Sequence, residues 1–104
     1  MTTETFRELA LSMPGSYEAP HFEKTSFRTK KRIFATLDLS SGIACLKLLP
    51  VDQNVFTSVN NPAITPVPNK WGLQGWTLFD LKKVRKHTIV DAVTTAYFSS
   101  ISKK

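Results

Sequence analysis

One cysteine and two histidines are the whole supply of sulfur and imidazole ligands in this chain. Cys45, His21 and His87 stand too far apart for the usual zinc spacings, so no metal is expected. The four glycines form no phosphate-cradling loop. No Gly-x-Ser-x-Gly elbow is present, and the eight carboxylates make no evident acid/base pair. Each of these reaction classes lacks its minimal parts, which points to a non-catalytic protein without a cofactor. No apolar run approaches the roughly twenty residues of a membrane span. The N-terminus lacks the basic start and apolar stretch of a signal peptide, and with a lone cysteine the expected compartment is the cytoplasm.

What the chain does have is basic charge. Its 104 residues, read as one domain over 1–104, carry fourteen Lys and Arg against eight Asp and Glu, a net charge of +6. The excess is clustered. Lys24, Arg28, Lys30, Lys31 and Arg32 form one group, and Lys82, Lys83, Arg85 and Lys86 form the other, whereas residues 33–69 hold only Lys47 as a base. Such clustering is the electrostatic footprint of a polyanion binder.

Hydrophobic spacing gives the architecture. Phe6, Leu9, Ala10 and Met13 recur at helical intervals, with Thr2 or Thr3 able to cap the first turn and Pro14-Gly15 ending it. A loop over 16–21 leads to three short β-type runs at 25–29, 32–38 and 43–48, whose tight connections predict an antiparallel meander. Asp52 is expected to cap a short helix over 53–59. Three prolines in 60–69 exclude a central strand there. Strand character resumes at 76–80, with a continuation through 81–84 at an edge, and a final helix presents Ile89, Val93, Ala96, Tyr97 and Ile101, opened by a capping box from Thr88 to Asp91. The order predicts an α+β fold, an antiparallel sheet with the N- and C-terminal helices packed on one face.

A two-residue turn at Lys30-Lys31 would set Thr29 opposite Arg32 and Phe27 opposite Phe34. Arg28, Ile33, Ala35, Leu37 and Leu39 then share the helix-covered side, and Thr25, Phe27, Thr29, Arg32, Phe34 and Thr36 the open one. Lys47 lies opposite Ala44, Leu46 and Leu48, so it either snorkels to the open side or binds an anion there. A ligand on that face would meet His21, Phe34, Lys47 and Trp76. The segment Lys70-Trp71-Gly72-Leu73-Gln74-Gly75-Trp76 raises its own question, because both tryptophans of the chain sit beside glycines. Trp71 could stack on a base or pack over the sheet edge, and Trp76 is expected to pack structurally.

The ordered set Leu9-Ala10-Leu11-Ser12-Met13-Pro14-Gly15, Pro20-His21-Phe22, Ser26-Phe27-Arg28, Arg32-Ile33-Phe34-Ala35-Thr36-Leu37, Leu46-Lys47-Leu48, Pro66-Val67-Pro68 and 70–77 resembles the MmcQ/YjbR family of small bacterial proteins. The resemblance runs from about Phe6 to Tyr97. It implies a CyaY/frataxin-like fold with a double-wing DNA-binding label. The family commonly carries glycine in the first hairpin, where this chain has Lys30-Lys31-Arg32, a more charged wing on a poorer turn. Frataxin's iron surface is an acidic ridge. Here the first helix offers only Glu4 and Glu8, so iron is not expected.

The leading expectation is therefore DNA binding without catalysis, to duplex DNA with low sequence specificity, by a protein expected to be a monomer. Phosphates would be held by Arg28, Lys30, Lys31, Arg32, Lys70, Lys82, Lys83, Arg85 and Lys86, with Trp71 alongside. The alternative is a small-anion or protein-binding module on the open sheet face around Lys47 and His21. Contacts to about four to six phosphates would make log Kd against log salt change with a slope of magnitude roughly 4 to 5 in a duplex-DNA titration. Affinity indifferent to salt would remove the electrostatic reading.

Overall fold

In the computed structural model, which describes residues 1–30, 32–58 and 62–102, the chain is α+β. The elements are α1 (Thr3–Leu11), β1 (Tyr17–His21), β2 (Lys24–Thr29), β3 (Arg32–Asp38), β4 (Ile43–Lys47), α2 (Pro50–Thr57), β5 (Ile64–Pro66), α3 (Lys70–Leu73), β6 (Trp76–Asp80) and α4 (Lys86–Ile101). The six strands form one sheet in the order β1-β2-β3-β4-β6-β5, with every pair antiparallel.

Thr2 caps α1, its hydroxyl accepting from the Thr5 amide at 3.0 Å. Phe6 of α1 meets Phe27 edge-on at 5.8 Å, and Tyr97 of α4 meets Phe34 in the same way. These contacts, together with Ala35, Leu37, Ala44, Leu46, Phe79 and Val93, all fully buried, make the core between α1, α4 and one sheet face. Tyr97 donates its hydroxyl to the Pro14 carbonyl, tying the end of α1 to α4.

Several elements differ from the sequence expectation. Tyr17–His21 is an edge strand rather than a loop, because its backbone pairs along the full length of β2. Pro50 opens α2 from the first helical position, so the helix starts before Asp52 and Leu49 stands at its cap. The expected C-terminal residue of that helix, Val59, lies outside the described residues, as does Lys31. α4 begins at Lys86, ahead of the anticipated box at Thr88, and Arg85 caps it without a side-chain bond. β6 lies between β4 and β5, and the chain turns at 81–84 instead of continuing as an edge. Ile101, counted on the buried face of α4, is exposed where the helix runs past the sheet.

The main correction concerns the faces of β3. Thr29 does stand opposite Arg32 and Arg28 opposite Ile33, but Phe27 stands opposite Ala35. Phe34 is thus the extra residue of a β-bulge. The bulge sends Phe34 and Ala35 both into the core, while Ile33 and Arg28 turn to the open face. Phe34 is fully buried and cannot belong to a ligand face. Phe27 is likewise core, and Leu39, expected in the core, is exposed beyond the strand end.

The glycines of the tryptophan segment meet backbone. A Cβ on Gly72 would stand 1.9 Å from the Val67 carbonyl oxygen, and one on Gly75 1.7 Å from that of Leu48. Gly75 also has φ +108°, where a side chain strains the backbone. Gly15 has φ +78° with open space around it and serves as a control. Gly15→Ala should cost about 1–2 kcal/mol of left-handed strain alone. Gly75→Ala should cost clearly more in urea unfolding, and equal costs would show that the Leu48 contact yields. Leu46→Ala, fully buried, should cost about 2–5 kcal/mol in the same assay.

Candidate functional site

With both terminal helices on one side, the other face of the sheet is bare. The register brings Ser26, Thr36, Cys45 and Leu78 into one row across it, and Lys47 beside Trp76 in another. Two depressions share Ile33 and Trp76 in their walls, one across this face and one at the end of the sheet where it meets α4.

The first is a cleft of about 680 Å³. It opens because β3 and β4 pair only from Ala35 opposite Leu46 onward, leaving Arg32 and Ile33 apart from Lys47 and Leu49. Arg28, Arg32 and Lys47 stand around it, with Trp76 on one side and Ser99 and Ser100 of α4 on the other; among the described residues no Asp or Glu lines it. The guanidinium of Arg28 is steered by Nε donation to Ser26 Oγ at 2.9 Å and by a bond to the Pro20 carbonyl. The ammonium of Lys47 donates to the Gln74 carbonyl at 2.7 Å. Burial first, and then the like charge of Arg32, push the Lys47 pKa below the ordinary lysine value. The C-terminal end of α4, which carries about half a negative charge from its free carbonyls, lines the cleft through Ser99, Ser100 and Ser102.

The second depression is a groove of about 860 Å³ across the middle of the sheet. Thr36, Cys45 and Leu78 contribute to its floor, the β1–β2 turn with His21 and Phe22 makes one rim, and Trp71 the other. Phe22 holds φ 58°, unusual for a bulky residue, and is 94% exposed, with its ring against that of His21 at 4.8 Å. Trp71, on the one-turn α3 capped by Asn69, is 50% exposed, with the Lys70 ammonium 5.9 Å from its ring. Behind it, buried Gln53 donates to the carbonyls of Gly72 and Trp76 at 2.9 and 3.2 Å, fixing the backbone that carries both tryptophans. Hence the question of the paired tryptophans and glycines resolves: the glycines weld the segment to Val67 and Leu48, and the tryptophans wall the open face.

The sequence candidates therefore divide. His21, Arg28, Lys47, Trp71 and Trp76 line depressions of the open face, with Lys70 beside Trp71, whereas Arg32 stands opposite Thr29 on the side of α4 and reaches the cleft from there. Lys30 is exposed at the β2–β3 turn. Lys82, Lys83, Arg85 and Lys86 follow the far end of β6, next to the β3–β4 turn, where Leu81 donates to the Gly42 carbonyl. Five residues of strand, about 17 Å, separate that end from Trp76 and Lys47. Arg28, Lys30 and Arg32 thus stand at the opposite end of the strands from the second cluster, while Lys24 opens β2 at the same end as that cluster. Ile33, Cys45, Leu78 and the serines of α4 were not anticipated as site residues. Cys45 is a half-buried residue of β4, and its place in a groove depends on strands distant in sequence. Among the described residues, no three His, Cys, Asp or Glu side chains gather, and no helix is long and apolar enough to cross a membrane.

No family model matches the chain, and no curated protein matches it significantly. Among solved structures it is similar to protein DR2400 of Deinococcus radiodurans, whose family-model domain is DUF419. The TM-score is 0.83 at 21% identity, covering 98% of this chain and 80% of that one. DUF419 is the YjbR/MmcQ type. The likeness shows a shared fold.

Burial raises the Cys45 thiol to about 11 from 9.0, with the nearby charge of Lys24 acting the other way. At pH 8 its thiolate fraction should fall about a hundredfold below that of an ordinary cysteine. Iodoacetamide should accordingly modify the native protein about a hundred times more slowly than the urea-unfolded chain. Equal rates would place the thiol in solvent.

Proposed function

We propose that the protein is a non-catalytic binding module of the MmcQ/YjbR type whose open sheet face takes an anionic ligand. One observation carries this reading: Arg28 and Lys47 line a single cleft together with Arg32, and among the described residues no Asp or Glu side chain lines it. Burial first, and then the like charge of Arg32, make the ammonium of Lys47 costly to hold there, as its lowered pKa reflects. An anion in the cleft offsets that cost and gains charge-assisted hydrogen bonds. The family reading is supported by the residue resemblance along 6–97 and by the fold shared with DR2400.

Duplex DNA is the second reading, favoured by the net charge of +6 and by Lys30 and Arg32 at an exposed hairpin end. A rigid duplex engaging both clusters would have to reach opposite ends of the strands, whereas an anion in the cleft needs one end only.

Calorimetric titration with pyrophosphate separates these readings. Saturable binding is expected, with Lys47→Met weakening it about tenfold or more, the worth of one charge-assisted hydrogen bond. The triple change Lys82→Ala, Lys83→Ala, Arg85→Ala should leave it unaltered. Absence of pyrophosphate binding, or equal loss in the triple variant, would overturn the cleft assignment. If the hairpin and the second cluster hold duplex DNA, Lys47→Met should lower its salt slope by no more than about one unit.

A further inference from the structure

The groove across the middle of the sheet, taken by itself, has a volume of about 860 Å³, within the range of small-molecule sites. Its floor holds a polar group with nothing to bind. Thr36 is only 8% exposed, and its hydroxyl meets no hydrogen-bond partner among the described residues. No fully enclosed side-chain oxygen or nitrogen among those residues lacks a partner, so this hydroxyl is reached from the groove itself. Hydroxyls buried to this degree are ordinarily satisfied, and one left open on a concave floor calls for a partner from outside.

A cation reaches the same spot. Ser26 stands opposite Thr36, and Lys24, two residues before Ser26, shares its face of β2. The charge of Lys24 is felt by the Cys45 thiol, which lies opposite Thr36 on the other side, so the ammonium extends over this row. Among the described residues that ammonium has no hydrogen bond or ion pair. Glu23 also lines the groove, and Lys70 stands by the Trp71 ring at 5.9 Å. Lys24 and Lys70 against Glu23 leave one positive charge in excess, which suits a monoanion. Flat rings make the rims: Trp71 on one side and, on the other, Phe22 with its ring edge-on to His21. Neither Trp71 nor Phe22 belongs to the core. Phe22 is held at φ 58°, a conformation unfavourable to a bulky residue, so the chain bears a cost to keep a ring there.

We infer that the groove binds a small planar aromatic carboxylate, the carboxylate held by the Thr36 hydroxyl and the Lys24 ammonium and the ring lying between Trp71 and the His21-Phe22 turn. The hydroxyl donates to one carboxylate oxygen and the ammonium to the other, both charge-assisted bonds. Aromatic walls favour a flat ring, by stacking or edge contact, over a saturated one of similar size. Leu78 supplies apolar floor beneath it.

The test is a titration of the ¹⁵N-labelled protein, observing the indole N–H signals of its two tryptophans, with calorimetry for affinity. The probes are 2-naphthoate, 2-naphthamide, decahydro-2-naphthoate and acetate. Naphthoate should bind saturably and shift both indole signals. The uncharged naphthamide should bind about fivefold more weakly, the worth of a well-placed exposed ion pair. Lys24→Met should bring naphthoate down to the naphthamide level. Thr36→Val, which keeps the shape and removes the hydroxyl, should weaken naphthoate about tenfold. Trp71→Ala should lower its affinity further than Trp71→Phe, and circular dichroism and melting would verify that all the variants fold. Lys47→Met should leave naphthoate binding unchanged, and pyrophosphate should not displace it. Indole signals unmoved by millimolar naphthoate would overturn the inference. So would equal binding of the decahydro acid or of acetate, indifference to both Lys24→Met and Thr36→Val, or displacement by pyrophosphate, which would put the acid in the cleft.

Discussion

Two neighbouring residues of one strand, Phe34 and Ala35, both enter the core, and much of the molecule follows from that irregularity. A regular strand can bury only alternate side chains. The bulge opposite Phe27 and Arg28 adds a second buried residue to β3, giving Tyr97 of α4 an aromatic partner. It also reverses the parity of everything before it. Ile33 and Arg28 reach the bare face because Phe34 does not, and Arg32 is carried to the margin of the same cleft. Core packing and site geometry are therefore one decision of the backbone, made at a single position.

A second decision is made by glycine. The segment between the tryptophans lies so close to Val67 and Leu48 that no side chain fits at Gly72 or Gly75. That closeness lets Leu48 donate to the Gly75 carbonyl and Lys47 to the Gln74 carbonyl. Buried Gln53 completes the anchorage from α2. The cation of the cleft and the aromatic walls of the groove thus rest on the same few backbone contacts. Bringing a polar side chain such as Gln53 into the interior is costly unless its groups are satisfied, and here its amide nitrogen meets Gly72, Trp76 and Thr77.

Much of this fold could be read from local pattern. The spacing of Phe6 and Ala10, the Thr2 cap, the meander of β2 to β4 and the buried stripe of α4 are short-range signals, and all recur in the structure. β1 was not legible, since Tyr17, Glu18, Ala19, Pro20 and His21 lack an apolar alternation and become a strand only by pairing with β2. α3 is a single turn set by the Asn69 side chain. The bulge left no mark because 32–37 alternates acceptably in either register, and only the packing of α4 selects one. Of the site, Lys47 stood out as a cation inside an apolar run. The cleft around it is formed by β2, β3, β4, β6 and α4, so its cations and serines meet only after folding.

The borders of the sheet bear on how the protein lives at high concentration. One outer strand, β1, contains Pro20, and the other, β5, is three residues long and ends in Pro66. Proline has no amide hydrogen to offer, so each border presents an interrupted ladder to a passing strand. Short, proline-bearing margins are a recognised guard against edge-to-edge aggregation. Lateral growth of the sheet into fibres is thereby discouraged without burying the broad face. A broad open face and guarded borders coexist here because the face is made of side chains while the backbone amides of the margins are largely withheld.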